Sequence, residues 1–203
     1  MIKPLSSDSI VANVRAFYDR TAAAYVERTF HLDMTKTRRE LTRFLAPGAR
    51  VLDAGCGSGR DALAFAQAGY EVEAFDASPE LVALARAHTG LDVACHTFDD
   101  VTAIERFDGI WACASLVHLD NEGLLRALTR LTAALKQGGV IFMSLKKGEG
   151  LRFAEDGRVF NDFTLERLFQ VPPLHSLELL RCSQNVSALN QTDIWLNAVF
   201  RKV

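Results

Sequence analysis

With 203 residues, 49% hydrophobic and 24% charged, the chain has room for one domain with a substantial apolar core and no need of metal or disulfide support. A formal net charge of −2 excludes the overall basic character of a dedicated nucleic-acid binder, although not a local patch. The four cysteines, Cys56, Cys95, Cys113 and Cys182, form no Cys-x-x-Cys pair and read as buried reduced thiols, with no metal site expected.

The first residues, Met-Ile-Lys-Pro-Leu-Ser-Ser-Asp, lack the apolar stretch of a signal peptide. No run approaches the roughly 20 apolar residues of a spanning helix, so a cytoplasmic protein without membrane contact is expected. Val14, Tyr18, Thr21-Ala22 and Tyr25 recur at helical spacing and predict a helix over 9–29. Tyr18 and Tyr25 stand seven residues apart and share one face, either as core aromatics with rim hydroxyls or as site residues. Phe30-His31-Leu32 breaks the pattern. Asp33 is placed to cap a second helix from Met34 to Leu45, with Leu41, Phe44 and Leu45 inward and Arg38, Arg39 and Arg43 mostly outward. Ala46-Pro47-Gly48 stops it. Residues 1–45 thus read as a helical cap ahead of a core spanning 46–203.

Val51-Leu52-Asp53-Ala54 is an apolar strand that turns through Gly55, Gly57 and Gly59 into a helix over 58–68, with Ser58 as its expected cap and Asp61 in its first turn. Glycines allow positive φ and close backbone approach, and exposed N–H groups at a helix start favour a negative group. A nucleotide-type ligand here requires an acid at the end of the next strand, to take up ribose hydroxyls. The strand 71–75 is followed by Asp76, 17 residues after Gly59. A dinucleotide fingerprint is incomplete, because its third glycine position falls on Arg60. Ser78-Pro79-Glu80 starts a helix over 79–88, and a strand follows over 92–96. Such alternation predicts an α/β fold with a parallel sheet, helices on both faces, and a ligand at the carboxyl ends of the strands.

Thr97-Phe98-Asp99-Asp100 follows the third strand, and Phe107 to Ala114 is the fourth. His118 just beyond it is the residue of that stretch able to act as a base near neutral pH, or else a structural histidine. Leu124, Leu128, Leu131 and Leu135 form the inner stripe of a helix over 121–136, which Gly138-Gly139 is expected to end before a strand from Val140 to Leu145. Lys146, Lys147 and Arg152, with Gly148 and Gly150 among them, read as a rim loop, either folding over an acidic acceptor or merely solvated. Thr164 to Phe169 is a short helix. Strands from Ser176 to Cys182 and Asp193 to Arg201 have a short connection and should pair antiparallel.

The run Leu52-Asp53-Ala54-Gly55-Cys56-Gly57-Ser58-Gly59 resembles the first motif of the class I S-adenosylmethionine-dependent methyltransferases. It is followed in order by Asp76, by Phe107-Asp108-Gly109-Ile110-Trp111 and by Leu135-Lys136-Gln137-Gly138-Gly139, as in that family. The resemblance implies a Rossmann-like, mostly parallel seven-stranded sheet with a C-terminal antiparallel hairpin. It also implies S-adenosylmethionine as cofactor and S-adenosylhomocysteine as product. By the same resemblance Asp53, Gly55, Cys56, Gly57, Ser58 and Gly59 hold the cofactor, with Asp76 and Ala77 near its ribose. Phe98 and Asp99 lie near the adenine, although Thr97 stands where relatives often have aspartate. Cys113 and Ala114 pass under the sulfonium, and Tyr25 or Tyr18 reaches the methionine end or the acceptor. Tyr18 and His118 are the catalytic candidates.

Lys146-x-Gly148-Glu149-Gly150 and Trp195-Leu196-Asn197 are similar to pieces of small bacterial methyltransferases, some labelled tellurite-resistance types. There is no Asn/Asp-Pro-Pro-Tyr/Phe after the fourth strand and no Pro-Cys, the motifs of nucleic-acid methylating enzymes. A small-molecule acceptor is therefore expected, with anionic ones among the candidates. The alternative is a regulatory module that binds the cofactor without transferring a methyl group. Nothing in the sequence reads out an oligomeric state.

Overall fold

The computed structural model describes residues 6–203. Two helices, α1 (Ser7–Thr29) and α2 (Thr35–Thr42), precede the first strand. Then β1 (Arg50–Ala54), α3 (Arg60–Gln67), β2 (Glu71–Asp76), α4 (Pro79–Thr89), β3 (Val93–Cys95), β4 (Phe107–Cys113), α5 (Asn121–Ala134) and β5 (Leu135–Lys146) alternate as expected. The remainder is β6 (Gly150–Phe153), β7 (Val159–Asp162), α6 (Leu165–Leu168), β8 (Leu177–Val186) and β9 (Ile194–Lys202). Seven strands form one sheet in the order β3-β2-β1-β4-β5-β9-β8. The first five run parallel, and β9 pairs antiparallel with both β5 and β8. This is the Rossmann-like methyltransferase fold. Chain order reverses between β1 and β4, so a crevice opens beyond their carboxyl ends.

The central strands carry near-continuous apolar runs because both of their faces are covered. Ile110, Trp111, Ile141 and Phe142 are fully buried, and Trp111 stacks on Phe142 with centroids 4.1 Å apart. One face takes the α5 stripe, where Leu124, Leu128 and Leu131 pack against Leu52, Ile110 and Ile141. The other takes Leu41 from α2 and Phe65 from α3. No described helix is long and apolar enough to cross a membrane.

Several local expectations are corrected. Ser58 does not cap α3: the cap position is Gly59, in the left-handed region at φ 77°, and Ser58 is buried in the turn. Gly138-Gly139 does not end α5, which stops at Ala134. The chain enters β5 at once, and the glycines lie in a bulge where its pairing with β4 jumps from Phe107–Leu135 to Gly109–Val140. Arg38 does not point outward but reaches Asp61 at 2.8 Å. Cys95 is exposed rather than buried. The rim segment after β5 is not a loop: β6 and β7 form a separate hairpin. Its cations are already partnered, Lys146 with Asp193 at 2.7 Å, Arg152 with Asp162 at 3.0 Å, and Lys147 with the Gln184 amide oxygen at 3.2 Å.

Candidate active site

The turn after β1 is shaped by contacts that admit no side chain. A Cβ on Gly55 (φ 79°) would stand 2.5 Å from that of Ser115, whose hydroxyl donates to the Ala54 carbonyl at 2.7 Å. A Cβ on Gly57 (φ 54°) would meet the Tyr25 ring and hydroxyl at 3.1 Å. The turn is therefore pressed between the segment after β4 and helix α1, and glycine is required on both counts. The Asp76 carboxylate accepts from the Gly57 N–H at 2.8 Å and the Ser78 N–H at 3.0 Å, which ties the end of β2 to the turn. Burial raises its carboxyl above the ordinary carboxylate range, against the backbone N–H groups that lower it.

Over these strand ends lies a cavity of about 520 Å³, the size of a small-molecule site. Gly55, Gly57, Asp76, Ala77, Phe98, Asp99, Cys113, Ala114, Tyr18, Tyr25 and His118 all line it. Asp53, Cys56, Ser58 and Gly59 do not, and stand beneath it in β1 and the turn. Helix α1 is the roof. Ser7 donates to both Asp120 oxygens at 2.9 and 2.7 Å, Tyr18 meets His118, and Asp19 accepts from the Ser78 hydroxyl at 2.6 Å.

Two groups in the floor have unusual electrostatics. Asp53 is 2% exposed and its Oδ2 has no hydrogen-bond partner. Burial, and then the neighbouring Asp61 carboxylate, push its carboxyl well above the ordinary range. An unpaired buried polar atom is costly. Cys113 is a thiol pushed up to about 12 by burial, with the Ser144 hydroxyl donating to it at 3.7 Å. It is no nucleophile at neutral pH but a small apolar wall. Ala114 beside it has φ 56°, uncommon for a residue with a side chain, and its N–H is held by the Ser144 hydroxyl at 2.8 Å.

His118 sits in a short 3-10 turn at 116–118. Its Nε2 is 2.8 Å from the Tyr18 hydroxyl and its Nδ1 is 2.8 Å from the Val159 carbonyl. Burial lowers its pKa to about 4, with Arg158 and Lys146 adding to the effect. Burial likewise raises the Tyr18 phenol, while the Arg158 guanidinium beside it pulls the other way. Arg158 comes from the β6–β7 hairpin, pairs with Asp156 at 2.6 Å, and covers the Phe17 ring at 4.2 Å. Sequence reading missed Arg158, although Asp156-Gly157 between two strand-like runs is a strong hairpin signal. It also missed Ser115, whose role depends on a contact between distant segments.

Residues 51–139 match a methyltransferase-domain family. That likeness runs from β1 into β5 and agrees with the resemblance of the same stretch to the class I S-adenosylmethionine-dependent methyltransferases. A ubiquinone biosynthesis O-methyltransferase of Xanthomonas campestris is 38% identical over 110 residues, which are 50% of this chain and 45% of that one. A second such enzyme, from Nitrobacter winogradskyi, is 37% identical over 102 residues, 48% of this chain and 38% of its own. The matched part thus spans under half the length of these curated relatives. Among solved structures, the fold is similar to the 1,6-didemethyltoxoflavin N1-methyltransferase of Burkholderia thailandensis, with TM-score 0.82, 23% identity, and 100% and 93% of the two chains covered. That enzyme was crystallised with 1,6-didemethyltoxoflavin and S-adenosylhomocysteine.

Proposed function

We propose that this protein transfers a methyl group from S-adenosylmethionine to a small-molecule acceptor in the cavity beneath α1, and that it works in the cytoplasm. The observation that carries the reading is the joining of Gly55, Gly57 and Asp76 on the wall of one cavity, with the unpaired Asp53 carboxyl beneath. These residues fit the cofactor: a turn that is glycine where it meets the cavity, and an acid for two hydroxyls. In this reading Asp76 and Ala77 hold the ribose, Phe98 and Asp99 border the adenine, and Gly55 to Gly59 approach the methionine end. Residues 1–45 act as the cap and 46–203 as the core.

When bound, the sulfonium supplies an activated methyl group whose leaving sulfur needs no acid. The work of this chain is then to position, enclose and exclude water, and proximity is the main catalytic contribution. Cys113 and Ala114 offer small surfaces where a reacting methyl needs room. Helix α1 closes the cavity through Tyr18, Asp19 and Ser7. His118, held to about 4, is a weak base at neutral pH, so its direct role is to orient Tyr18.

The relatives methylate oxygen in one case and nitrogen in another, by their names, and both act on small molecules. An anionic acceptor has less support than the sequence suggested, because Lys146, Lys147 and Arg152 are already partnered. The test is incubation with methyl-labelled S-adenosylmethionine and a panel of dihydroxybenzenes and nitrogen heterocycles. Label transfer with matched release of S-adenosylhomocysteine is expected. Tight cofactor binding with no transfer to any of them would favour a non-catalytic binding module.

A further inference from the structure

We propose that the Tyr18 end of the cavity takes an acceptor group that still carries its proton, a hydroxyl or an N–H, in preference to a carboxylate or other oxyanion. This rests on the methyl-transfer reading and names the acceptor class for the same site. The reason is the polarity of a short hydrogen-bond chain anchored in the main chain.

The Val159 carbonyl can only accept, and it lies 2.8 Å from His118 Nδ1, so that nitrogen carries the ring proton. In the neutral ring Nε2 is then a bare acceptor. It lies 2.8 Å from the Tyr18 hydroxyl, which must donate its one proton there. The Arg158 guanidinium beside the same phenol has donors and no acceptor, and points one of them at its oxygen, leaving one of the two lone pairs. The Tyr18 oxygen therefore faces the cavity with a lone pair and no proton to give.

Reversing the chain would set a bare Nδ1 against a carbonyl oxygen, two acceptors 2.8 Å apart. Protonating the ring would free the Tyr18 proton, but burial, Arg158 and Lys146 oppose the imidazolium, and among nearby charges Asp156 favours it. A ligand hydroxyl or N–H completes the Tyr18 oxygen, and as its O or N takes the methyl from sulfur the released, strongly acidic proton passes to the Tyr18 oxygen while Tyr18 hands its own to His118 Nε2. A carboxylate offers only acceptors, makes no hydrogen bond to the Tyr18 oxygen, and finds the nearby Arg158 charge already paired with Asp156 at 2.6 Å.

The experiment uses the intact protein saturated with S-adenosylhomocysteine, after calorimetry has shown that it binds. Nitrogen-15 NMR of the His118 ring at pH 7 should show protonated Nδ1 and bare Nε2. Titrations with phenol and with benzoate, followed by those ring resonances, should give at least fivefold tighter binding of phenol. In Tyr18→Phe the preference should fall toward parity. An Nε2–H ring, equal or tighter binding of benzoate, or no shift with phenol would overturn the proposal. Failure of S-adenosylhomocysteine to bind would instead remove the methyl-transfer reading, while the ring measurement still decides the polarity of the wall.

Discussion

Asp76 and His118 show how differently two half-buried ionisable side chains can serve one cavity. Asp76 accepts two backbone N–H groups, which oppose the upward pull of burial on its carboxyl and leave other lone pairs for a ligand. Asp76→Ala should weaken S-adenosylhomocysteine binding by about 10- to 100-fold, the loss of about 1.5–3 kcal/mol typical of charged hydrogen bonds. Calorimetric titration of wild type and variant measures it, and equal affinity would place the ribose elsewhere. His118 is held neutral, its pKa lowered from 6.5 to about 4. Between those values the unfolded chain binds a proton that the folded chain does not. Stability from this group is therefore present above 6.5 and lost as pH falls toward 4. Going from pH 7 to pH 5 should cost wild type about 1–2 kcal/mol more than His118→Gln. Urea unfolding at the two pH values checks this, and identical losses would show that His118 is not buried neutral.

At the scale of elements, helices α1 and α2 are tied to the sheet through Asp61 as well as through the contacts of α1 over the cavity. Asp61 accepts from Arg38 of α2 at 2.8 Å, from its neighbour Arg60 at 2.6 Å and from the Trp111 indole of β4 at 3.2 Å. Arg60 in turn donates to the Thr29 carbonyl at the end of α1. Burial works against the Arg60 charge, but Asp61 more than offsets it and raises its pKa. Asp61→Ala would strand two mostly buried guanidinium groups and the indole N–H. We expect a loss of about 3–5 kcal/mol in unfolding free energy, the scale of breaking a buried ion pair. A denaturant midpoint within error of wild type would show that solvent reaches the cluster. The sequence put Asp61 in the first turn of α3, where an acid is favourable in any case. Nothing in its spacing showed that Arg38, 23 residues earlier, would turn inward to meet it.

The same contrast between local and distant pattern runs through the whole molecule. The stretch from β1 to α4 was legible because each element is marked nearby: three glycines after an apolar strand, Asp76 at a strand end, Ser78-Pro79 at a helix start. Its ligand face followed from the alternation, since parallel strands put their carboxyl ends on one side. The C-terminal antiparallel pair was legible from its short connection, and β9 joins β5 as the fold requires. The β6–β7 hairpin was not, because glycines and cations after a strand look alike in a solvated loop and in a hairpin whose cations find carboxylates across the fold. In the site, the floor was readable and the roof only partly so. Tyr18 and Tyr25 were placed on one face by spacing, but their partners His118 and Gly57 come from other elements.

The central claim is that the cavity under α1 is built for S-adenosylmethionine and its product, and calorimetric titration with S-adenosylhomocysteine, with NADH alongside, tests it most directly. The account predicts micromolar binding of S-adenosylhomocysteine alone, and about 2.7 kcal/mol of added stability at a hundredfold excess over Kd. Binding of NADH in its place, or of neither ligand, would contradict it.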